Sequence, residues 1–555
     1  MSQTPVPDYL EELRPDPAKG REIDQQSPGE RSPGIDARTN TIRWIGVALG
    51  VVLAIAMYFL LPESMSHNAR LTAAVAAVMA VWWMTEAVPI PATALIPLVV
   101  FPMLAEAIPG KDGADPTPVT FDSIGASYGN NVIFLFMGGF FLALAMQRWN
   151  LHRRIALLVL KVMPNKPGAM IAGFMIATGF LSMWVSNTAT AVMMLPIGMS
   201  VLSLVNQVMN DPKRVPETGS VILDADGNPV ESIADVLKTN FGTALMLGIA
   251  YAASLGSLGT LIGTPPNAFL AGYMSDTYDR TIGFGEWMIV GVPLSIVFLF
   301  VAWFLLVKVF FKPEMDEIPG GRELIESELK KLGRMSSGEW LVLAVFVLAA
   351  LSWITIPLIS EAAGVDPFIS DAGIAIAAGL ILFLFPAGAN RGVKLLDWKS
   401  AKELPWDVLL LFGGGLALSS MFSKSGLTKS IGELASGMQG IPMILIIAIL
   451  TLAILFLTEL TSNTATAATF VPVVAGIAMG MGVDPLLFCA PVALAATCAF
   501  MLPVATPPNA VAYGSGYVTV PQMVKGGLWL NLIGVVLITI TATTLLVWVF
   551  GLTLG

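Results

Sequence analysis

The hexapeptide Ser-Asn-Thr-Ala-Thr-Ala occurs twice in this chain, at 186–191 and again at 462–467. Each copy is followed further on by Thr-Pro-Pro-Asn, at 264–267 and at 506–509. All four segments interrupt long apolar runs. Of the 555 residues, 55% are hydrophobic and only 12% are charged, about half the charged share of a soluble protein. Many runs reach the roughly 20 apolar residues that a helix needs to cross a bilayer. The chain therefore reads as an all-α polytopic membrane protein. Polar residues and helix breaks are costly in hydrocarbon unless they line a site or a water-filled cavity. Paired breaks in corresponding halves of such a chain are the sequence mark of a transporter's binding centre.

The two halves align without a gap at an offset of 276 positions over roughly 65 residues, so that Gly138-Gly139 meets Gly414-Gly415 and Pro196 meets Pro472. The Thr-Pro-Pro-Asn copies are 242 positions apart, which assigns 34 extra residues to the first half, in the polar loop near 208–240. Its Asp226-Gly227-Asn228-Pro229 run reads as a turn. Spans are expected near 42–61, 70–88, 90–105, 131–147, 241–275 and 287–311, then near 339–358, 370–386, 406–423, 485–516 and 524–551. Hairpins are expected within 167–205 and 441–481. The segments 148–166 and 387–405 are basic and 106–127 is acidic. Basic segments stay on the cytoplasmic side, so the N-terminus is expected inside. With both hairpins counted as re-entrant, about eleven crossings leave the C-terminus outside, and the two repeats have inverted topology. Residues 149–163 space basic and apolar positions as an amphipathic helix lying on the cytoplasmic surface.

The expected organisation has six parts. Residues 1–40 are a polar, disordered cytoplasmic arm with no apolar leader. Residues 41–166 form scaffold spans and the surface helix, and 167–311 the first hairpin, broken helix and following span. A cytoplasmic loop covers 312–338, scaffold spans of the second repeat 339–440, and the second hairpin, broken helix and last span 441–555.

Residue chemistry narrows the ligands. Hydroxyl, amide and backbone oxygens suit a hard cation such as Na+, while amide NH2, hydroxyl and freed backbone N–H groups suit carboxylate oxygens. No Lys or Arg occurs in 167–205, 241–275, 441–481 or 485–520. A doubly charged anion held there needs co-bound cations, because an unpaired charge in a low-dielectric site is strongly disfavoured. Glu459 is the one acid in these stretches, and Na+ rather than H+ is the expected coupling ion. Glu86, near a span end, reads as a structural hydrogen-bonding group. Gly413-Gly414-Gly415 lies in an apolar span without a phosphate-loop Lys and reads as close helix packing. Cys489 and Cys498 are expected to be free thiols. No cofactor is expected, no His, Cys or paired-carboxylate cluster points to an enzyme, and no basic patch points to nucleic acid.

These residues resemble the divalent anion:sodium symporter (DASS) family. The resemblance is carried by Ser186-Asn187-Thr188, Glu459-Leu460-Thr461-Ser462-Asn463-Thr464, both Thr-Pro-Pro-Asn breaks and Thr85-Glu86-Ala87-Val88-Pro89, and it covers about residues 42–555. It implies a homodimer of scaffold and transport domains working by an elevator motion, in a bacterial inner membrane. It implies one sodium held by Ser182, Ser186, Asn187 and Gly263, and a second held by Thr458, Thr461, Asn463 and Ala505. Substrate carboxylates are implied at Asn187, Thr188, Asn463, Thr464 and Thr506, with Thr264 and Pro507 nearby. Hydroxyl residues at both pre-proline positions resemble the dicarboxylate members. The expected activity is sodium-coupled import of C4-dicarboxylates such as succinate, fumarate and malate. A di- or tricarboxylate exchanger, a citrate or sulfate transporter of the same family, and an anion channel are the alternatives.

Overall fold

The computed structural model describes residues 37–109, 115–210, 239–318, 320–388, 390–435, 437 and 440–554. Helices make up nearly all of it. Among the described residues β pairing is limited to two isolated bridges, Ile108 with Thr117 and Pro386 with Lys394. Eight helices among the described residues are long and apolar enough to cross a membrane, and five shorter apolar helices accompany them.

The element order repeats. Asn131–Arg148, Leu151–Lys161, Pro167–Ser182, Asn187–Asn210, Asn240–Ser257, Pro265–Tyr278 and Phe284–Phe304 form one series. Trp406–Lys424, Leu427–Ala435, Met443–Thr458, Asn463–Met481, Leu486–Thr497, Pro507–Gly514 and Val520–Thr543 form the other. In each series a long helix is followed by a short one, a helical hairpin, a helix broken before Thr-Pro-Pro-Asn, and a final long helix. The breaks fall where proline chemistry demands them. Pro265-Pro266 and Pro507-Pro508 open new helices in the first turn, where a missing N–H costs nothing.

The helix ahead of each break is the centre of the molecule. Every residue of Leu486–Thr497 is buried, as is every residue of Asn240–Ser257 after the first. A helix apolar on all sides belongs in an interior. Small residues let neighbouring backbones close on it: a Cβ at Gly256 would strike the backbone of Gly179 in the first hairpin arm. The Gly413-Gly414-Gly415 run works in the same way, against the Tyr128 ring, the Ala94 backbone and the Phe269 ring in turn. Gly138 lets Asn131–Arg148 press on the backbone of Ala375 in the neighbouring helix Asp371–Leu384. The first helix, Ala37–Leu60, lies at the edge, and its buried residues are Gly46 and Gly50, seated on Thr85 and Trp82.

Three expectations change. The first helix begins at Ala37, so 37–40 are helical rather than part of a disordered arm. Residues 1–36 and the turn at 226–229 lie outside the described residues. The span expected at 90–105 is split into Ile90–Thr93 and Ile96–Leu104, because Pro91, Pro97 and Pro102 deny it a continuous set of amide donors. The amphipathic helix is present as Leu151–Lys161, but Arg154 on it is buried rather than solvated. Its guanidinium donates to both carboxylate oxygens of Glu339, at 2.6 and 3.2 Å, and to the carbonyls of Leu332 and Gly333. The neighbouring Arg153 bonds Glu328 of the helix Gly321–Lys331 at 2.6 Å. Lys331 and Arg153 together hold the Glu328 carboxyl below its ordinary range. The helix is thereby fastened to the loop before Ser337–Ala363.

Candidate functional site

The first hairpin turns over residues 183–186, between Pro167–Ser182 and Asn187–Asn210. Residues 459–462 do the same between Met443–Thr458 and Asn463–Met481. Opposite each tip lies a break, 258–264 in the first repeat and 498–506 in the second. Both tips and both breaks converge on one cavity of about 1090 Å³. Its lining includes Ser186, Asn187, Thr188, Gly263 and Thr264 from the first repeat, and Thr461, Asn463, Thr464, Ala505, Thr506 and Pro507 from the second. Ser182 and Thr458 are fully buried and lie behind this wall. The rim carries Arg43, Glu86, Gln147, Glu403 and Asp407. Among the described residues Arg43 is the one basic side chain in the lining.

Matching hydrogen bonds hold the two repeats. Ser182 Oγ donates to Ala253 O at 2.5 Å, and Thr458 Oγ1 donates to Ala496 O at 2.8 Å. Each fastens a hairpin arm to the buried helix beside it. Thr458 shares that one proton with Asn463 Oδ1, 2.9 Å from its Oγ1, and Thr461 donates to Leu457 O at 2.9 Å. A hydroxyl has one proton and two lone pairs, so these groups keep lone pairs for a cation. Asn267 Nδ2 ties the first break to itself through Leu258 O and Thr260 O, at 3.3 and 3.0 Å. Asn509 Nδ2 does so in the second through Ala499 O and Leu502 O, at 3.0 and 3.1 Å. The final Asn of each Thr-Pro-Pro-Asn thus replaces the helical donors that the prolines lack.

The repeats also touch and differ. Thr264 Oγ1 and Thr497 Oγ1 are 3.2 Å apart, which joins the first break to the buried helix of the second repeat. Thr497 Oγ1 donates in turn to Ala493 O at 3.5 Å, whereas Thr506 Oγ1 accepts from Asn509 N at 3.3 Å. Glu459 is buried, and its carboxylate accepts from the amides of Phe500, Met501 and Leu502 and from Asn531 Nδ2, at 2.7–3.2 Å. Three freed amides of the break thus close on one carboxylate. The first repeat has Met183 at the matching position. Its break is fastened instead by Thr260 Oγ1 donating to Met183 O and accepting from Gly263 N.

Sequence reasoning missed several residues here. Asn531 and Arg43 reach the site or its supports from elements remote in sequence, while Thr260 lies within the first break and Thr497 just ahead of the second. An Asn within an apolar run was the one available sign for Asn531. Glu86 departs from its expected role. It caps His67–Thr85 in the left-handed region at φ 47°, is exposed on the cavity rim, and has no side-chain partner among the described residues.

A family model described as the sodium:sulfate symporter transmembrane region matches residues 41–552. The sodium-dependent dicarboxylate transporter SdcS of Staphylococcus saprophyticus is 40% identical over 515 residues, covering 92% of this chain and 93% of that one. The protein of the same name from Staphylococcus aureus strain MRSA252 is 40% identical over 515 residues, with the same coverage. Among solved structures, Neisseria gonorrhoeae MtrF, of a class of antimetabolite efflux pumps, is 14% identical with a TM-score of 0.48, covering 93% of this chain and 98% of that one. The Alcanivorax borkumensis YdaH transporter is 16% identical with a TM-score of 0.49, covering 86% and 99%.

Proposed function

This chain belongs to the sodium:sulfate symporter family, and we propose that it uses a sodium gradient to import C4-dicarboxylates such as succinate, fumarate and malate. It is an integral membrane transporter and not an enzyme. The observation that carries the proposal is the meeting of both Ser-Asn-Thr tips and both breaks in one cavity whose repeat-derived walls bear no Lys or Arg. Relatives sharing 40% of their residues are named as sodium-dependent dicarboxylate transporters.

In this reading one sodium binds among Ser182, Ser186, Asn187 and the freed carbonyl of Gly263. A second binds among Thr458, Thr461, Asn463 and Ala505. The substrate's two carboxylates meet Asn187, Thr188, Asn463, Thr464 and Thr506, beside Thr264 and Pro507. Sodium supplies the positive charge that the walls lack. The protein is a homodimer in a bacterial plasma membrane, joined through scaffold spans near 90–147 and 370–423. Hairpins and broken helices move together past that frame as an elevator. The cavity rim at Gln147 and Glu403 borders the basic segments, so the form described is open to the cytoplasm.

The test is uptake into proteoliposomes. Succinate should accumulate in empty vesicles when sodium is imposed outside, and fumarate and malate should compete. Uptake that needs an internal carboxylate and ignores sodium would make the protein an exchanger. Uptake driven by a proton gradient alone would overturn the ion assignment.

A further inference from the structure

A second cavity, of about 910 Å³, lies between the scaffold helices and the transport part. One wall comes from Asn131–Arg148 and Ser337–Ala363, the other from the first break, Pro265–Tyr278 and Phe284–Phe304. Its chemistry is graded. Glu286, Glu361 and Asp371 stand at one end, in the first turn of Phe284–Phe304, the last turn of Ser337–Ala363 and the first turn of Asp371–Leu384, which is the external side when the basic segments mark the cytoplasm. Among the described residues no Lys or Arg lines it. Away from these carboxylates the lining turns apolar, through Met288, Val292, Ile354 and Leu358. Glu286 and Val292, or Glu361 and Ile354, are six or seven residues apart, about 10 Å along a helix. Ile289 and Leu358 line the crevice, and Ile296 and Leu351, seven positions further along the same helix faces and outside its lining, are exposed, so the cavity opens sideways toward the hydrocarbon.

An apolar slot open to the bilayer, with carboxylates at the headgroup level, fits one class of ligand. We propose that this crevice binds a phospholipid with a primary-amine headgroup, its ammonium among Glu286, Glu361 and Asp371 and an acyl chain running inward between the two bodies. Glu286 and Asp371 each spend one oxygen on a backbone amide, of Gly283 and Phe284. Their other oxygens and the Glu361 carboxylate remain for the ammonium, a three-proton donor. A choline headgroup has no N–H to give, and a glycerol headgroup leaves the lipid with a net negative charge. The chain end reaches Leu261, while the next residues, Ile262 and Gly263, line the substrate cavity. One unwound segment therefore separates lipid from substrate, and an occupied crevice wedges the transport part against motion toward it.

The site is independent of which anion is carried. Full-length protein in mixed vesicles of phosphatidylethanolamine, phosphatidylcholine and phosphatidylglycerol would be extracted gently and its retained lipid measured by native mass spectrometry. Phosphatidylethanolamine should be retained over the other two by roughly tenfold, the worth of one charge-assisted hydrogen bond. Glu361→Gln should lose most of that preference while keeping the same unfolding temperature. Ala271→Phe, which fills the slot, should release the lipid whatever its headgroup. Equal retention of the three lipids by the wild-type protein would overturn the proposal, and so would a preference untouched by both substitutions.

Discussion

At the scale of residues, Asn187 and Asn463 link the two kinds of ligand. Each amide has an oxygen for a cation and an NH2 for a carboxylate. Asn463 Oδ1 already meets Thr458 Oγ1, within the proposed second sodium set. Linkage requires that sodium tighten substrate by the factor by which substrate tightens sodium. We predict that Asn187→Ala or Asn463→Ala abolishes coupled uptake and flattens the sodium dependence of succinate binding in folded protein. The loss should be about 1.5–3 kcal/mol, tenfold to beyond a hundredfold in affinity, and calorimetric titration at several sodium concentrations checks it. Glu459 serves a different end. Its carboxylate gathers three amides and Asn531, and Glu459→Gln places an NH2 donor among donors. That substitution should cost about 1.5–3 kcal/mol of stability, visible as a lower unfolding temperature. An unchanged transition would show that the break holds its shape without the anion.

Among elements, what the sequence disclosed and what it hid have separate physical origins. The breaks at 258–264 and 498–506 were legible because proline acts on its own turn and the double proline leaves the helix no choice. The hairpin tips were legible because Ser-Asn-Thr recurs at a fixed offset within apolar arms. Pairings across long separations were not. Arg154 reads as one more surface charge on Leu151–Lys161 until Glu339, 185 positions later, folds onto it. The same holds for Thr264 with Thr497, 233 positions apart, since spacing carries no trace of either. Removing one partner of a buried ion pair strands the other, at about 3–5 kcal/mol. Arg154→Met should destabilise by that amount, and Arg154→Met with Glu339→Met by clearly less. Thermal unfolding of the single and double variants in one detergent separates the two outcomes, and equal losses would mean that the pair contributes packing and no charge effect.

For the whole molecule, the test of alternating access uses the native thiols' inaccessibility. Cys489 and Cys498 are free and fully buried, so a single introduced cysteine reports without background. Leu460 lines the substrate cavity and is 69% exposed. Leu460→Cys should react with an impermeant thiol reagent from the cytoplasmic side, and sodium with succinate should slow it several-fold. Equal reaction from both sides would favour a continuous pore, as in a channel. A final consequence follows from the hydroxyls at the two pre-proline positions. Thr264 Oγ1 is engaged by the Thr497 hydroxyl of the other repeat, 3.2 Å away. Thr506 only accepts, from Asn509 N, and keeps its proton for a ligand. A fold built from two like halves therefore holds its cargo in a lopsided cradle. Succinate, with identical ends, loses nothing by turning round. Malate, with a hydroxyl on one side, has one preferred way to lie, and its mirror image cannot copy it. The two enantiomers of malate should compete unequally for succinate uptake, and equal competition would mean that the cradle reads the carboxylates alone.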